Sequence, residues 1–134
     1  MQNIFHTYCH VQNKVCSLII DNRNCVNIAS TIIVSKLNLC MIEHNKPYRL
    51  QFLNDCGEVK VTKQVLILFF IRKYVDKVQY DVVLMHVSHI LLERPWQSNR
   101  KAKHDKFKNR YSLKKDGRTY TLAYYHQDRF MKTN

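Results

Sequence analysis

Apolar and polar residues alternate along most of this chain in short runs, with the period of two that marks half-buried β-strands. Residues 4–11 and 15–20 make two such runs around Gln12-Asn13-Lys14 and predict a hairpin. Leu18, Ile19 and Ile20 are consecutive apolar residues, as in a strand covered on both faces, and the run stops at Asp21. Over 28–39 the period changes. Ile28, Ile32, Ile33, Leu37 and Leu39, with Ser30, Thr31, Ser35 and Lys36 between them, predict one short helix capped by Asn27 or Ser30.

Residues 41–46 read as a connector. Tyr48, Leu50 and Phe52 then share one side of a strand, Asn54-Asp55-Cys56-Gly57 is a turn, and Val59, Val61 and Val65 share one face of the returning strand. Residues 65–71 are continuously apolar and predict a buried strand. In 74–84 the apolar positions are Val75, Val78, Tyr80, Val82 and Leu84, and another apolar segment follows at 87–92. Arg94-Pro95-Trp96-Gln97 opens a turn or short helix, since Pro suits a helix start. Residues 111–113 and 119–122 flank Lys114-Lys115-Asp116-Gly117 as a last hairpin, and the residues beyond 124 read as a frayed tail. Many short strands with one helix predict an all-β fold, a small closed barrel.

Composition narrows the setting. A chain of 134 residues with 46% hydrophobic content suits one domain with a real core. Two glycines and two prolines are few for a hairpin-rich protein, and Asn13, Asn22, Asn24, Asn38 and Asn54 stand where turns need positive φ. Five cysteines, an odd number without a C-x-x-C pair, argue against a secreted disulfide framework. Cys16 and Cys25 read as small apolar packing residues. Cys9, His6, His10 and Cys16, or His86 and His89, lack the paired spacing of zinc ligands, so no metal or other cofactor is expected. The first residues lack a signal-peptide pattern, and the 65–71 run is far shorter than the ~20 residues of a membrane span. The expectation is a soluble intracellular, cytoplasmic chain with reduced thiols and no membrane partner.

Asp21 is the candidate for chemistry, because a carboxylate at the end of a buried strand is costly unless paired or used. Leu18-Ile19-Ile20-Asp21 followed by Cys25-Val26-Asn27-Ile28-Ala29-Ser30 resembles the active-site segment of retropepsin-like aspartic proteases, most nearly those of plant gypsy-class LTR retrotransposon polyproteins. The resemblance continues through Lys46-Pro47-Tyr48-Arg49-Leu50-Gln51, through 53–61, and through Ile90-Leu91-Leu92-Glu93-Arg94-Pro95-Trp96-Gln97 and 104–112.

The resemblance implies a retropepsin-type barrel over 1–98, with 99–124 a basic C-terminal hairpin extension and 125–134 a tail. It implies a piece of a longer polyprotein, acting on polyprotein peptides as a homodimer in which each subunit supplies one catalytic aspartate, here Asp21. The 48–61 hairpin becomes a flap over the peptide. Asn22 and Arg23, with Asn54, Asp55, Cys56 and Gly57 in the flap, become substrate-binding residues. Two departures imply a degenerate copy, weakened or inactive. Arg23 and Glu93 stand where the family has glycines, and a cation beside two carboxylates opposes the shared-proton state that their chemistry needs.

The alternative is a basic nucleic-acid-binding module. The net charge is +12, and Arg100, Lys101, Lys103, Lys106, Lys108 and Arg110 crowd one stretch with Trp96, Phe107 and Tyr111 interleaved.

Overall fold

The first hairpin sets the frame. β1 (Phe5–Val11) and β2 (Lys14–Ile20) pair antiparallel in full register, from Phe5 opposite Ile20 to Val11 opposite Lys14. Gln12 and Asn13 join them at φ 52° and 64°, the left-handed pair that matches strand twist in a two-residue turn. This computed structural model describes residues 4–51 and 57–123.

β3 (Ile28–Ser30) leads straight into α1 (Thr31–Lys36), so the predicted helix begins later than its apolar residues suggested. Ser30 is its cap, accepting from the Ile33 N–H at 3.2 Å. Residues 28–30 are a strand because all three are buried, pairing parallel with one neighbour and antiparallel with another. β4 (Met41–Gln51) includes the predicted connector: its first half is an exposed edge that shows no alternation, held to the next strand through a register shift between Glu43 and Tyr48.

β5 (Glu58–Ile71) joins two predicted strands into one. Its face carrying Val65, Ile67, Phe69 and Ile71 enters the core, while Leu66, Leu68 and Phe70 stand exposed, so the strand is covered on one side only. β6 (Tyr74–Val83) also departs from its pattern, since Val75 is exposed and Asp76 is buried. The reason is chemical: Asp76 accepts from Arg100 Nε and Nη2, each at 2.9 Å, from Tyr74 Oη, and from Trp96 Nε1 at 3.2 Å. β7 (His89–Leu92) precedes α2 (Arg94–Asn99), a second short helix with Pro95 in its first turn.

The strands form one sheet in the order β1-β2-β7-β3-β6-β5-β4. A further β1–β5 pairing, His10 with Phe70, closes the first six into a barrel and leaves β4 as an arm on β5. Leu18 and Ile20 of β2 face the main core with Phe5, Ile67, Phe69, Tyr80 and Trp96. Ile19 faces a second cluster with Ile28, Val61, Val83 and Leu91, so β2 is covered on both sides as expected. Cys9 and Cys16 sit opposite each other, buried, and Cys25 is exposed, contrary to its predicted packing role.

β8 (Lys103–Asp105), β9 (Arg110–Lys115) and β10 (Arg118–Ala123) make a separate three-stranded sheet. The β9–β10 turn is Asp116-Gly117, at φ 51° and 77°. Tyr111, Leu113 and Leu122 of this sheet are buried in the main core, so it packs onto the barrel rather than extending from it. Among the described residues no helix is long and apolar enough to cross a membrane.

Candidate active site

Sheet order places the candidate carboxylate. β7 lies between β2 and β3, so the connection through residues 21–27 must cross the end of β7. Ile20 pairs with Leu92, and the Asp21 N–H donates to the Leu92 carbonyl at 3.0 Å. The strand ends therefore bring Asp21 and Glu93 to one place, both at 0% exposure.

Asp21 is fully provided with donors from its own loop. The Asn22 N–H donates to Oδ1 at 2.7 Å, and Arg23 Nε and Nη2 both reach Oδ2 at 2.7 Å. The Arg23 side chain remains 31% exposed, so the ion pair forms the rim of the site while the carboxylate forms its floor. Behind the carboxylate, Gln97 Nε2 donates to the Asp21 carbonyl, and Gln97 Oε1 accepts from the Tyr111 hydroxyl at 2.8 Å. Helix α2 and the second sheet thus support the loop from below.

Glu93 has a partner that the sequence did not reveal. Asn24 donates its N–H to Oε1 at 3.1 Å and its Nδ2 to Oε2 at 3.0 Å. Arg23 goes to Asp21, and Arg94 Nε donates to the Asn22 carbonyl at 2.8 Å. Asn27 Oδ1 accepts from the Glu93 N–H at 2.8 Å. The Glu93 carboxylate and Asn24 form a latch that ties the loop to the end of β7. Asn24 and Asn27 occupy the inward positions, which leaves Cys25 facing out.

Burial pushes the Glu93 carboxyl above the ordinary range; the Asp21 charge adds to this, while Asn24 and Arg23 oppose it. A carboxyl raised on folding binds more protons in the native state, so its ionisation takes away stability as pH rises through the raised value. Glu93→Gln is accordingly expected to gain in thermal midpoint relative to the parent as pH rises from about 4 to 7. Paired unfolding curves measure this, and a relative loss over that interval would show that the Asn24 bonds outweigh burial.

The other predicted residues are distributed. Asn22 and Arg23 lie in the 21–27 loop, and Asn54, Asp55 and Cys56 lie outside the described residues. Gly57 stands at the foot of β5 and, with Glu58, Val59, Leu84, Met85, His86 and Val87, lines a cavity of about 330 Å³. Leu84 is exposed at this cavity, contrary to its predicted apolar strand position, because β6 ends at Val83. Arg100 belongs to the Asp76 network, whereas Lys101, Lys103, Lys106, Lys108 and Arg110 are exposed. Asn24, Asn27 and Gln97 are the site residues that sequence reasoning missed; nothing local distinguishes them from ordinary loop and helix polars.

No family model matches the chain, and no curated protein sequence matches it. Solved structures do. The retroviral protease-like domain of Ddi1 from Leishmania major superposes with a TM-score of 0.68 at 6% identity, over 94% of this chain and 97% of that one. A retropepsin-like aspartic protease from Rickettsia conorii gives 0.53 at 14% identity, over 92% of this chain and 94% of that one. The fold is retropepsin-like: a closed β-barrel with two short helices.

Proposed function

We propose that this chain is half of an aspartic peptidase, with Asp21 as its one catalytic carboxylate and a second copy supplying the other. The observation that carries the proposal is a fully buried aspartate at the end of a barrel strand, in a loop fixed from several sides. Inside one chain the nearby Glu93 has both oxygens engaged by Asn24, which leaves the second carboxylate to come from a symmetry mate. Across the twofold, two carboxylates share one proton. One draws a proton from water while its protonated twin polarises the peptide carbonyl. The Gly57–Val59 and Leu84–Val87 cavity, between the start of β5 and the segment after β6, offers a partly apolar lining for a substrate side chain.

Arg23 works against this chemistry, because its two N–H groups occupy the Asp21 Oδ2 at 2.7 Å, an oxygen that the twin carboxyl or the water would have to engage. The proposal is therefore a weakened peptidase. A polyprotein segment of a retrotransposon as substrate is supported by the sequence resemblance, and the cytoplasm as its place by the odd cysteine count without a C-x-x-C pair. Purified protein is expected to cut a peptide library slowly at about pH 5, with Asp21→Asn abolishing the cutting. Cleavage that survives Asp21→Asn would assign the activity to another group.

A further inference from the structure

The three-stranded sheet has two chemically different faces. Inward, Tyr111, Leu113 and Leu122 enter the core, with the Phe5 ring 5.4 Å from His104 and 5.3 Å from Tyr111. Outward, register sets Lys103 beside Ser112 and Thr121, and Lys114 beside Thr119. Lys101, Lys106, Lys108 and Arg110 surround this face, and all of them are exposed. Among the described residues none of Lys101, Lys103, Lys106, Lys108, Arg110 and Lys114 belongs to an ion pair. Asp105, the nearby carboxylate, shapes the β8–β9 turn by accepting from the Lys108 N–H at 3.2 Å. His104 and Asn109, 3.2 Å apart, close the same turn, which holds Phe107 at its tip with 97% of its surface exposed.

Each feature is unfavourable alone. Unpaired cations repel one another, and a bare phenyl ring forgoes about 1.5–3 kcal/mol of burial. A polyanion carrying flat π-faces relieves both. We infer that this face binds single-stranded nucleic acid, its phosphates along the Lys103–Lys114 rows and one base stacked on Phe107. Ser112, Thr119 and Thr121 supply hydroxyls on the same face. An anionic membrane would satisfy the charge, but the surrounding outward positions are polar and offer it one apolar ring. The inference is independent of Asp21 and of any peptidase activity.

The test is fluorescence anisotropy of a labelled oligouridylate of about 12 nucleotides with the full chain. Binding is expected to weaken with salt from about 50 to 200 mM, with a log–log slope near −4 if six phosphates are neutralised. Phe107→Ala is expected to weaken oligonucleotide binding roughly 5- to 150-fold while leaving inorganic polyphosphate binding unchanged. The triple change Lys103→Glu, Lys106→Glu, Lys108→Glu is expected to remove both, and Asp21→Asn to change neither. All altered side chains in the sheet are exposed, and matching thermal midpoints confirm folding; should the triple variant unfold, Phe107→Ala decides. Absence of binding at low salt, an unchanged affinity in Phe107→Ala, or Phe107-dependent binding to phosphatidylserine vesicles without oligonucleotide binding would overturn the inference.

Discussion

Arg23→Gly is expected to raise peptide cleavage at about pH 5 by roughly 10- to 150-fold. Arg23 places two N–H groups on one oxygen of Asp21 at 2.7 Å, with the carboxylate fully buried. Both donors occupy Oδ2, which a twin carboxyl or the attacking water would otherwise engage, and freeing it removes a competing charge-assisted bond of about 1.5–3 kcal/mol, roughly 10- to 150-fold in rate. Removing the side chain leaves that oxygen open to a facing carboxyl. The loop keeps its other ties, since Arg94 holds the Asn22 carbonyl, Asn24 holds Glu93 and Gln97 holds the Asp21 carbonyl. Arg23→Met separates charge from bulk. If both variants gain, charge was the restraint; if glycine alone gains, the side chain obstructed the partner copy or the substrate. Initial rates on a peptide library measure this, with Asp21→Asn in the Arg23→Gly background as the inactive control. A folded Arg23→Gly protein no faster than its parent would contradict the role given to Arg23.

Arg100→Ala is expected to lower the free energy of unfolding by about 3–5 kcal/mol, a large share of the roughly 5–15 kcal/mol of an ordinary domain. Asp76 is 2% exposed and depends on Arg100 for its compensating charge. Breaking such a pair leaves an uncompensated buried carboxylate, which costs far more than the pair contributes beyond an apolar substitute. The same network fastens three parts of the fold. Trp96 brings in α2, the Arg100 carbonyl accepts from the Lys114 N–H at 2.7 Å, and Lys115 Nζ donates to the Val75 carbonyl at 2.9 Å.

Urea unfolding at neutral pH measures the loss, and Asp76→Asn with Arg100→Met is expected to recover part of it. A loss below about 1 kcal/mol would mean that water reaches Asp76. Burial pushes Asp76 up, but Arg100, Tyr74 and Trp96 together hold it below the ordinary carboxylate value of 3.8. Its contribution is complete above the unfolded value and is lost as pH falls through the lowered folded one. At about pH 5, where the proposed chemistry operates, the network is intact.

Strands with one wet face were legible in the sequence, because alternation encodes them: β1 and the paired halves of β4 and β5 followed it, while β2 was legible from its continuous apolar run. The turn residues were legible in part: Asn13 and Asn38 adopt the left-handed φ expected of residues replacing glycine, Asn22 and Asn24 do not, and Asn54 lies outside the described residues. Elements failed where burial did not alternate. Residues 28–30 are buried throughout and only three long, so the helical period after them masked a strand. Residues 41–46 are mostly exposed, so nothing marked them as strand. β8 lay hidden in a charge run, where Lys103 and Asp105 point outward around a half-buried His104.

Asp21 was legible because an apolar run ended in a carboxylate. Its environment was not, since the Asn24–Glu93 pair spans 69 positions and the Asp76–Arg100 pair spans 24. Such pairings are decided by which strand ends meet, and sheet order is not written in local pattern. The conflict raised by Glu93 in the sequence is settled in space by Asn24.

If Asp21 is the proposed catalytic carboxylate, its twin has to come from a second chain. Sedimentation of the purified protein at about pH 5 tests this directly. A two-chain site predicts a concentration-dependent approach to twice the 16.1 kDa chain mass, with peptide cleavage rising in step with the dimer. A single-chain mass at every concentration would contradict it.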